Sequence, residues 1–204
     1  MFKKYLIIGL IFLLAFLGLA ILVKKQLVSQ FDFDTTVRTQ NHIPQSADPL
    51  LSAFSLIGSF EIMSAVVLLW WFISHTRLAG LPVLVVYTLG LFVELAGKVF
   101  LNHSGPPFMF FRYDLDFIFP SGYVQTGNSF PSGHSFRAVF LAVLLIYQFR
   151  RKPVVWFLIT ILATAMLISR VSLGEHWASD VAGGALLGLS LASLSLSWLT
   201  VKQK

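Results

Sequence analysis

The chain has 204 residues, of which 56% are hydrophobic and 12% are charged, and its mean hydropathy is +0.79. A soluble domain carries about a quarter charged residues, so this chain lacks the polar surface that water requires. The composition excludes an ordinary soluble protein and predicts an integral membrane protein. The chain has no cysteine, which excludes disulfides and thiol chemistry.

Six apolar segments are long enough, or nearly long enough, to cross a membrane as helices. The hydrocarbon core of a bilayer is about 30 Å thick, and an α-helix needs about 20 apolar residues to span it. The six segments are residues 5–23, 52–73, 79–101, 134–149, 154–171 and 179–200. They predict an all-α fold in which residues 1–204 form a single membrane-embedded domain, a bundle of six transmembrane helices.

The first apolar segment follows Lys3 and Lys4, as the core of a secretion signal would. It is longer than the core of a usual signal peptide, and Lys24 and Lys25 follow it without a clear small-x-small cleavage site. We therefore expect residues 5–23 to be a retained transmembrane helix.

The formal net charge of +6 is distributed unevenly between the loops. With six crossings the loops alternate between the two sides of the membrane. The loops and termini on one side hold no acidic residue, and their basic residues are Lys3, Lys4, Arg77, Arg150, Arg151, Lys152, Lys202 and Lys204. The opposite loops hold Lys24, Lys25, Arg38, Arg112, Asp32, Asp34, Asp48, Asp114 and Asp116. Basic residues favour the cytoplasmic side, which predicts a multi-pass protein of the cell membrane with both termini in the cytoplasm. The basic excess then reflects topology, and no patch indicates nucleic-acid binding.

Five ionisable residues lie at or near the predicted non-cytoplasmic ends of the last four helices. They are Lys98, His134, Arg170, His176 and Asp180. Ionisable residues at the edge of a membrane span are costly, and they are functional candidates for that reason. They come from distant parts of the sequence, yet the six-helix topology places them at one membrane depth, facing the outside or periplasmic side.

Residues 131–134, Pro-Ser-Gly-His, stand where the fourth helix is predicted to begin. Ser132 is a good N-cap residue, and Gly133 lets the backbone approach a ligand closely. The free N–H groups at a helix start can bind an anion, phosphate especially. A capped helix followed by a surface histidine explains the same residues. A hydrolase with Ser132 as nucleophile would carry the G-x-S-x-G pattern, which is missing here.

Residues 169–180, SRVSLGEHWASD, contain a second polar group. Arg170 offers a planar fork of donors that suits phosphate oxygens. His176 and Asp180 are four residues apart, so on a helix the carboxylate can hold one ring nitrogen and leave the other as base or nucleophile. A polar pair at a helix end explains this spacing equally well. A metal site is less expected, because zinc takes three or four protein ligands.

Together these stretches resemble the type 2 phosphatidic acid phosphatase superfamily, also called lipid phosphate phosphatases, and its bacterial phosphatidylglycerophosphatase B and undecaprenyl diphosphate phosphatase types. The family's Pro-Ser-Gly-His motif is intact at residues 131–134. Its third motif, Ser-Arg followed by a spaced His and Asp, is intact within residues 169–180. Its first motif is partial: Lys98 is present, but Gly105 precedes Pro106 where the family has Arg-Pro.

The resemblance implies a role for each motif residue. By its pattern the catalytic residues are His176, His134 and Asp180, and the phosphate-binding residues are Lys98, Ser132, Gly133 and Arg170. His176 would attack phosphorus to form a phosphohistidine, Asp180 would orient it, and His134 would deliver a proton to the leaving group. The cationic side chains would neutralise the phosphate oxygens, so the resemblance implies no metal and no cofactor.

The departure at Gly105 leaves one phosphate contact open. Arg112, seven residues further on in the aromatic loop, is a candidate for the missing cation, and His103 is a weaker one. Neither belongs to the predicted site.

The expected partner is a lipid phosphate whose tail stays among the membrane lipids, with no obligatory protein partner. Residues 102–133 form an aromatic segment that suits the membrane interface. Phosphatidylglycerol phosphate, undecaprenyl diphosphate, phosphatidate and diacylglycerol diphosphate all meet this description, and the resemblance favours the first two. The alternative is a membrane lipid transporter or flippase without hydrolytic activity.

Overall fold

The computed structural model describes residues 2–73, 77–123 and 127–201, and Lys202 and Lys204 of the predicted charge pattern lie outside these ranges. The described residues form helices and loops, with one isolated bridge between Ser104 and Asn128. In chain order the α-helices are α1 (Phe2–Lys24), α2 (Ser29–His42), α3 (Asp48–Ile57), α4 (Phe60–Ile73), α5 (Arg77–Phe100), α6 (Gly133–Gln148), α7 (Pro153–Ser172) and α8 (Ala178–Val201). The all-α prediction is confirmed for this part of the chain.

Four of these helices, α1, α5, α7 and α8, have the length and the hydropathy to cross a membrane. Helix α6 is apolar but shorter, with 16 residues. The predicted bounds of these five helices agree with the structure to within a few residues. The fold is therefore that of a multi-pass membrane protein.

The predicted second span, residues 52–73, is two helices, because α3 and α4 meet at a bend of 46°. Gly58 and Ser59 form the break. Glycine is a poor helix former, and the Ser59 hydroxyl accepts a hydrogen bond from the Ile62 amide at 3.3 Å, as a cap of α4 does. A β-carbon at Gly58 would lie 2.6 Å from the His134 ring, so the bend also lets the chain pass close to α6.

Helix α2 lies in the polar stretch after the first span, and its 14 residues are too polar to cross a membrane. It packs against the ends of α7 and α8. The Gln40 side-chain amide donates hydrogen bonds to the carbonyl oxygens of Phe110 and Ser172, at 2.7 and 3.0 Å. Asp32, on the first turn, is buried. Helix α2 thus covers the end of the bundle where the motif residues lie.

The aromatic segment between α5 and α6 runs over the same end of the bundle, with short 3₁₀ turns at Phe108–Phe110 and Pro120–Tyr123. The Glu61 carboxylate on α4 accepts two hydrogen bonds from Ser121, at 2.8 and 2.9 Å. The ring of Phe110 is buried, whereas the neighbouring side chains of Phe108 and Met109 are 87% and 79% exposed. The segment is therefore tied to α4 through Ser121, and it exposes the apolar side chains of Phe108 and Met109.

Helix α8 is the central helix, packing chiefly against α1 and α6. A β-carbon at Gly188 would lie 2.7 Å from the Phe136 carbonyl oxygen and 3.0 Å from the Phe140 amide nitrogen. The backbones of α6 and α8 therefore touch, as small residues allow in membrane helix pairs. This contact holds α6 against the middle of α8.

We expect Gly188→Leu to lower the thermal stability of the protein, because the larger side chain must force α6 away from α8. Overpacking of this kind costs roughly 1–3 kcal/mol. The measurement is the melting temperature in a mild detergent. The matched control is Gly18→Leu on α1, where a β-carbon would meet nothing within 4 Å. Equal melting temperatures for the two variants would contradict the close α6–α8 contact.

Candidate active site

A cavity of about 720 Å³ opens at the end of the bundle that α2 and the aromatic segment cover. It is lined by residues of α4, α5, α6 and α7, by the aromatic segment and by the turn between α7 and α8. Five of the seven predicted site residues line it: Lys98, Gly133, His134, Arg170 and His176. Asp180 and Ser132 are not on its wall, and both are fully buried behind it. The structure therefore brings the motif residues together from four separate segments.

His176 stands on the tight turn that joins α7 to α8. The amides of Glu175 and His176 donate to the Arg170 carbonyl oxygen at 3.1 and 3.2 Å, which closes the turn over the end of α7. Gly174 within it has a φ of +66°, a conformation that residues with a β-carbon rarely adopt. A β-carbon there would also collide with the Phe110 carbonyl. Glycine at this position therefore places the imidazole at the cavity wall.

Asp180 supports the imidazole from behind, on the first turn of α8. Its Oδ2 lies 3.4 Å from His176 Nδ1 and accepts the Trp177 amide at 2.9 Å. Its backbone carbonyl accepts the Ser132 amide at 2.9 Å. One residue thus contacts His176 through its carboxylate and fixes the start of α6 through its backbone.

The surroundings of His176 favour a neutral imidazole. Burial is the first cause, and the nearby charges of Arg170 and Lys98 add to it; together they lower the pKa of His176 to about 3. A neutral ring whose proton lies on Nδ1, on the side of Asp180, has Nε2 as its unprotonated nitrogen. His176 can therefore act as a base or nucleophile across the physiological pH range.

Ser132 caps α6, as the sequence suggested for this residue. Its hydroxyl oxygen accepts the Ser135 amide at 3.4 Å and the Ser135 hydroxyl at 3.1 Å. The hydroxyl therefore turns towards the helix. Gly133 and His134, the next two residues, do line the cavity, so the start of α6 presents backbone and an imidazole there.

The cavity also holds charged residues that the motif prediction missed: Glu94, Arg137 and Glu175. Glu94 bridges two cations, with Oε1 3.0 Å from Lys98 Nζ and Oε2 2.8 Å from Arg137 Nη1. Arg137 stands three residues after His134, a spacing that places both on one helix face. The sequence signal that could have identified Arg137 was this spacing, together with the rarity of charges inside apolar helices.

Arg170 is held by Glu175 and by α3. Its Nη2 lies 2.5 Å from Glu175 Oε2, and its Nη1 donates to the Ser55 hydroxyl. Its side chain is almost completely buried, so the fork of donors has a fixed position at the cavity wall.

Within the part of the chain that the structure describes, no group of three or more His, Asp or Glu side chains is placed to hold a metal ion.

A buried polar group lies on the far side of Asp180. His103 Nε2 is 3.5 Å from Asp180 Oδ1 and 3.8 Å from Asp32 Oδ2. Asp32 accepts hydrogen bonds from the amide and hydroxyl of Ser179, at 2.8 and 2.7 Å. Burial raises the pKa of Asp32, and the bonds from Ser179 oppose that shift. His103, the weaker of the two candidates for the missing cation, thus lies behind Asp180.

Arg112, the first candidate for the missing cation, has a structural position. Its Nε and Nη2 form a bidentate salt bridge with the Asp48 carboxylate, at 2.9 and 2.7 Å. The guanidinium also donates hydrogen bonds to the carbonyl oxygens of Gln40 and Ile43. These bonds tie the aromatic segment to α2 and α3. They hold the guanidinium away from the cavity, so the suggestion that Arg112 replaces the motif arginine is wrong.

Similar proteins include two from Bacillus species. Phosphatidylglycerophosphatase B of Bacillus subtilis (strain 168) is 39% identical over 75 residues, which are 33% of this chain and 37% of that protein. The bacitracin transport permease protein BcrC of Bacillus licheniformis is 40% identical over 79 residues, which are 38% of this chain and 36% of that protein. The matched stretch thus spans little more than a third of the length of either relative.

Two solved structures have a similar fold. One is the crystal structure of a transmembrane PAP2-type phosphatidylglycerolphosphate phosphatase from Bacillus subtilis, with a TM-score of 0.75 and 22% identity, covering 97% of this chain and 98% of that one. The other is Aquifex aeolicus LpxE, with a TM-score of 0.65 and 19% identity, covering 81% of this chain and 94% of that one. At these identities the likeness shows the fold alone.

The profile of the PAP2 superfamily matches residues 79–204, which are more than half of the chain and include both intact motifs. The chain therefore belongs to the PAP2 superfamily.

Proposed function

We propose that this protein is a metal-independent lipid phosphate phosphatase of the membrane, which releases phosphate from a lipid mono- or diphosphate through a phosphohistidine intermediate. The observation that carries the proposal is the buried His176, which has Asp180 behind it and faces a cavity with fixed cations. Membership of the PAP2 superfamily supports it.

In the proposed reaction, Nε2 of His176 attacks phosphorus while the bond from phosphorus to the lipid oxygen breaks. His134 gives its proton to that oxygen, and Asp180 stabilises the charge that develops on the His176 ring. Lys98 and Arg170 neutralise the oxygens of the transferred group. Water then attacks the phosphohistidine, His134 takes the proton, and phosphate leaves.

The proposed substrate keeps its tail in the bilayer, with phosphatidylglycerol phosphate and undecaprenyl diphosphate as the first compounds to test. Relatives from Bacillus subtilis and Escherichia coli are named phosphatidylglycerophosphatase B. Apolar side chains of α4 and α5, including Phe60, Leu91 and Leu95, form part of the cavity wall. Such a wall suits the first carbons of a lipid chain. Neither a cofactor nor a protein partner belongs to this proposal.

A lipid transporter or flippase is the alternative, and one relative is named a bacitracin transport permease protein. A transport path would favour polar groups through the depth of the membrane. Here Lys98, Arg170 and His176 converge on one cavity at one end of the bundle. That arrangement favours chemistry on an anion over passage across the membrane.

The proposed topology has six crossings, with α3 and α4 as one bent span and α6 as a short one. Both termini are then cytoplasmic, and the cavity faces the outside or periplasmic side. Support comes from the basic residues of the α6–α7 turn and from the aspartates on the opposite loops.

Topology can be tested with single cysteines, since the chain has none of its own. We expect Arg38→Cys, on the exposed face of α2, to react with an impermeant thiol reagent in intact cells. Lys152→Cys, on the exposed turn between α6 and α7, should react only after the membrane is opened. The reverse pattern would place the cavity on the cytoplasmic side.

The nucleophile is tested by His176→Asn. We expect phosphate release from both lipid phosphates, in detergent micelles, to fall by about 10³-fold or more, as loss of a catalytic nucleophile does. His42→Asn, on the exposed end of α2, is the matched control and should keep full activity. Turnover near that of the wild type in a folded His176→Asn protein would contradict the proposed chemistry. A wild-type protein that moves lipid without releasing phosphate would favour the transporter.

The pKa of about 3 for His176 predicts how stability changes with pH. The ordinary histidine value is about 6.5, so between these two values the unfolded chain binds a proton that the folded protein does not. Stability must then fall as the pH drops below about 6.5. We expect the melting temperature of the wild type to fall by several degrees more than that of His176→Gln between pH 7 and pH 4. Parallel curves for the two proteins would show that this histidine is not held neutral.

A further inference from the structure

The cavity contains the position from which the first motif's arginine is missing. Gly105 lies on the cavity wall. A β-carbon built there would have the Ser129 β-carbon as its nearest neighbour, at an ordinary 3.7 Å, and the backbone is not in the left-handed region. A β-carbon would therefore fit at Gly105, so neither the backbone conformation nor a close neighbour requires glycine at this position.

Arg137 brings a cation to the same cavity from a different element. It is 5% exposed, on the second turn of α6, and lines the cavity together with His134. A β-carbon at Gly133 would lie 2.7 Å from Arg137 Nη1. The Glu94 carboxylate lies closer still to that position, so the guanidinium and its carboxylate partner both rest against the first residue of α6, where the free N–H groups of the helix favour an anion.

The carboxylate of Glu94 fixes the position of Arg137 relative to the first motif. It lies 2.8 Å from Arg137 Nη1 and 3.0 Å from Lys98 Nζ, through its two different oxygens. The motif lysine and Arg137 are thereby held on either side of one carboxylate. A guanidinium has five N–H donors. The bonds that we find for Arg137 in the described chain, to Glu94 and to the Gly58 carbonyl at 3.4 Å, use two of them.

The charge balance of the cavity depends on Arg137. Three cations, Lys98, Arg137 and Arg170, line the described cavity together with two carboxylates, Glu94 and Glu175. Counted apart from the two histidines, these five side chains carry one net positive charge, which favours an anion. Without Arg137 the cations and carboxylates would be equal in number, and the cavity would lose that preference.

We propose that Arg137 is a phosphate-binding residue that supplies the cation missing at Gly105. This inference rests on the proposed function. Arg137 donates from its remaining N–H groups to an oxygen of the transferred phosphoryl group, while Glu94 keeps its guanidinium in place. The competing explanation is structural, in which Arg137 only compensates the buried charge of Glu94.

The two explanations differ in the double variant Glu94→Gln/Arg137→Gln, which has no buried carboxylate left to compensate. If Arg137 binds phosphate, both Arg137→Gln and the double variant lose about 10²–10³-fold in kcat/KM, as loss of one oxyanion donor does. Arg137→Lys, which keeps the charge but not the fork, should lose less. Glu94→Gln alone is the control that measures any effect on kcat/KM that loss of the carboxylate has through Lys98. Recovery of wild-type kcat/KM in the double variant would overturn the proposal.

A cation moved to the motif position gives the sharpest test. Gly105→Arg in the Arg137→Gln protein should recover at least tenfold in kcat/KM, because it restores positive charge on the cavity wall. Arg137→Gln with unchanged kcat/KM and unchanged inhibition by inorganic phosphate would also overturn the proposal. Melting temperatures identify any variant that fails to fold. If Arg137→Gln alone does not fold, the comparison is made with the double variant, which leaves no unpaired carboxylate at position 94.

Binding of inorganic phosphate to the purified proteins separates this proposal from the proposed function. Calorimetric titration of wild type and Arg137→Gln needs no turnover. Weaker phosphate binding by Arg137→Gln supports the role of Arg137 even if the wild type hydrolyses neither lipid phosphate, a result that would contradict only the proposed function. Equal binding by the two proteins overturns the role of Arg137 while leaving hydrolysis by the wild type unaffected.

Discussion

The cavity depends on the pairing of charges that are largely withdrawn from water. A charge in a membrane-embedded site is costly unless another charge or a hydrogen bond compensates it. Here Glu94 compensates Lys98 and Arg137, and Glu175 compensates Arg170. These pairs hold the cations in fixed positions before any ligand arrives, which is the condition for electrostatic stabilisation without reorganisation.

The pairs can form because the backbones at this end of the bundle approach one another closely. Gly58 lets the α3–α4 bend pass beside the His134 ring, and Gly174 lets the α7–α8 turn pass beside the Phe110 carbonyl. Gly188 brings α8 against the backbone of α6. Side chains at these three positions would push apart the segments that meet at this end of the bundle. Close packing of helices and the geometry of the cavity therefore have the same cause.

The sequence allowed prediction of the features that hydropathy and short motifs encode, which are the apolar helices and the motif residues at their ends. The apolar helices were predictable because the bilayer sets their length. Helix α2 was not, since contacts from Asp32 and Gln40 to distant segments hold a polar sequence in place, and propensity alone is a weak guide. The motifs pointed to two histidines that the fold brings to one cavity. Pairing between Glu94 and Arg137 depends on how α5 and α6 pack, which no spacing within one helix reveals. The Ser132 hydroxyl could be read either way, because capping and ligand binding require the same residue type at a helix start.

On the proposed mechanism, the internal carboxylates also affect product release. A cavity with three uncompensated cations would bind the product phosphate tightly, and release of product limits turnover in many enzymes. Glu94 and Glu175 compete with phosphate for Lys98, Arg137 and Arg170, which weakens the hold on the free ion. Catalysis needs only stronger binding of the transition state than of the ground state. Attack by His176 supplies that difference, because its partial bond to phosphorus is present in the transition state and absent from both the bound substrate and the bound product. The same carboxylates that make the buried cations tolerable thus keep the cavity from being trapped by its product.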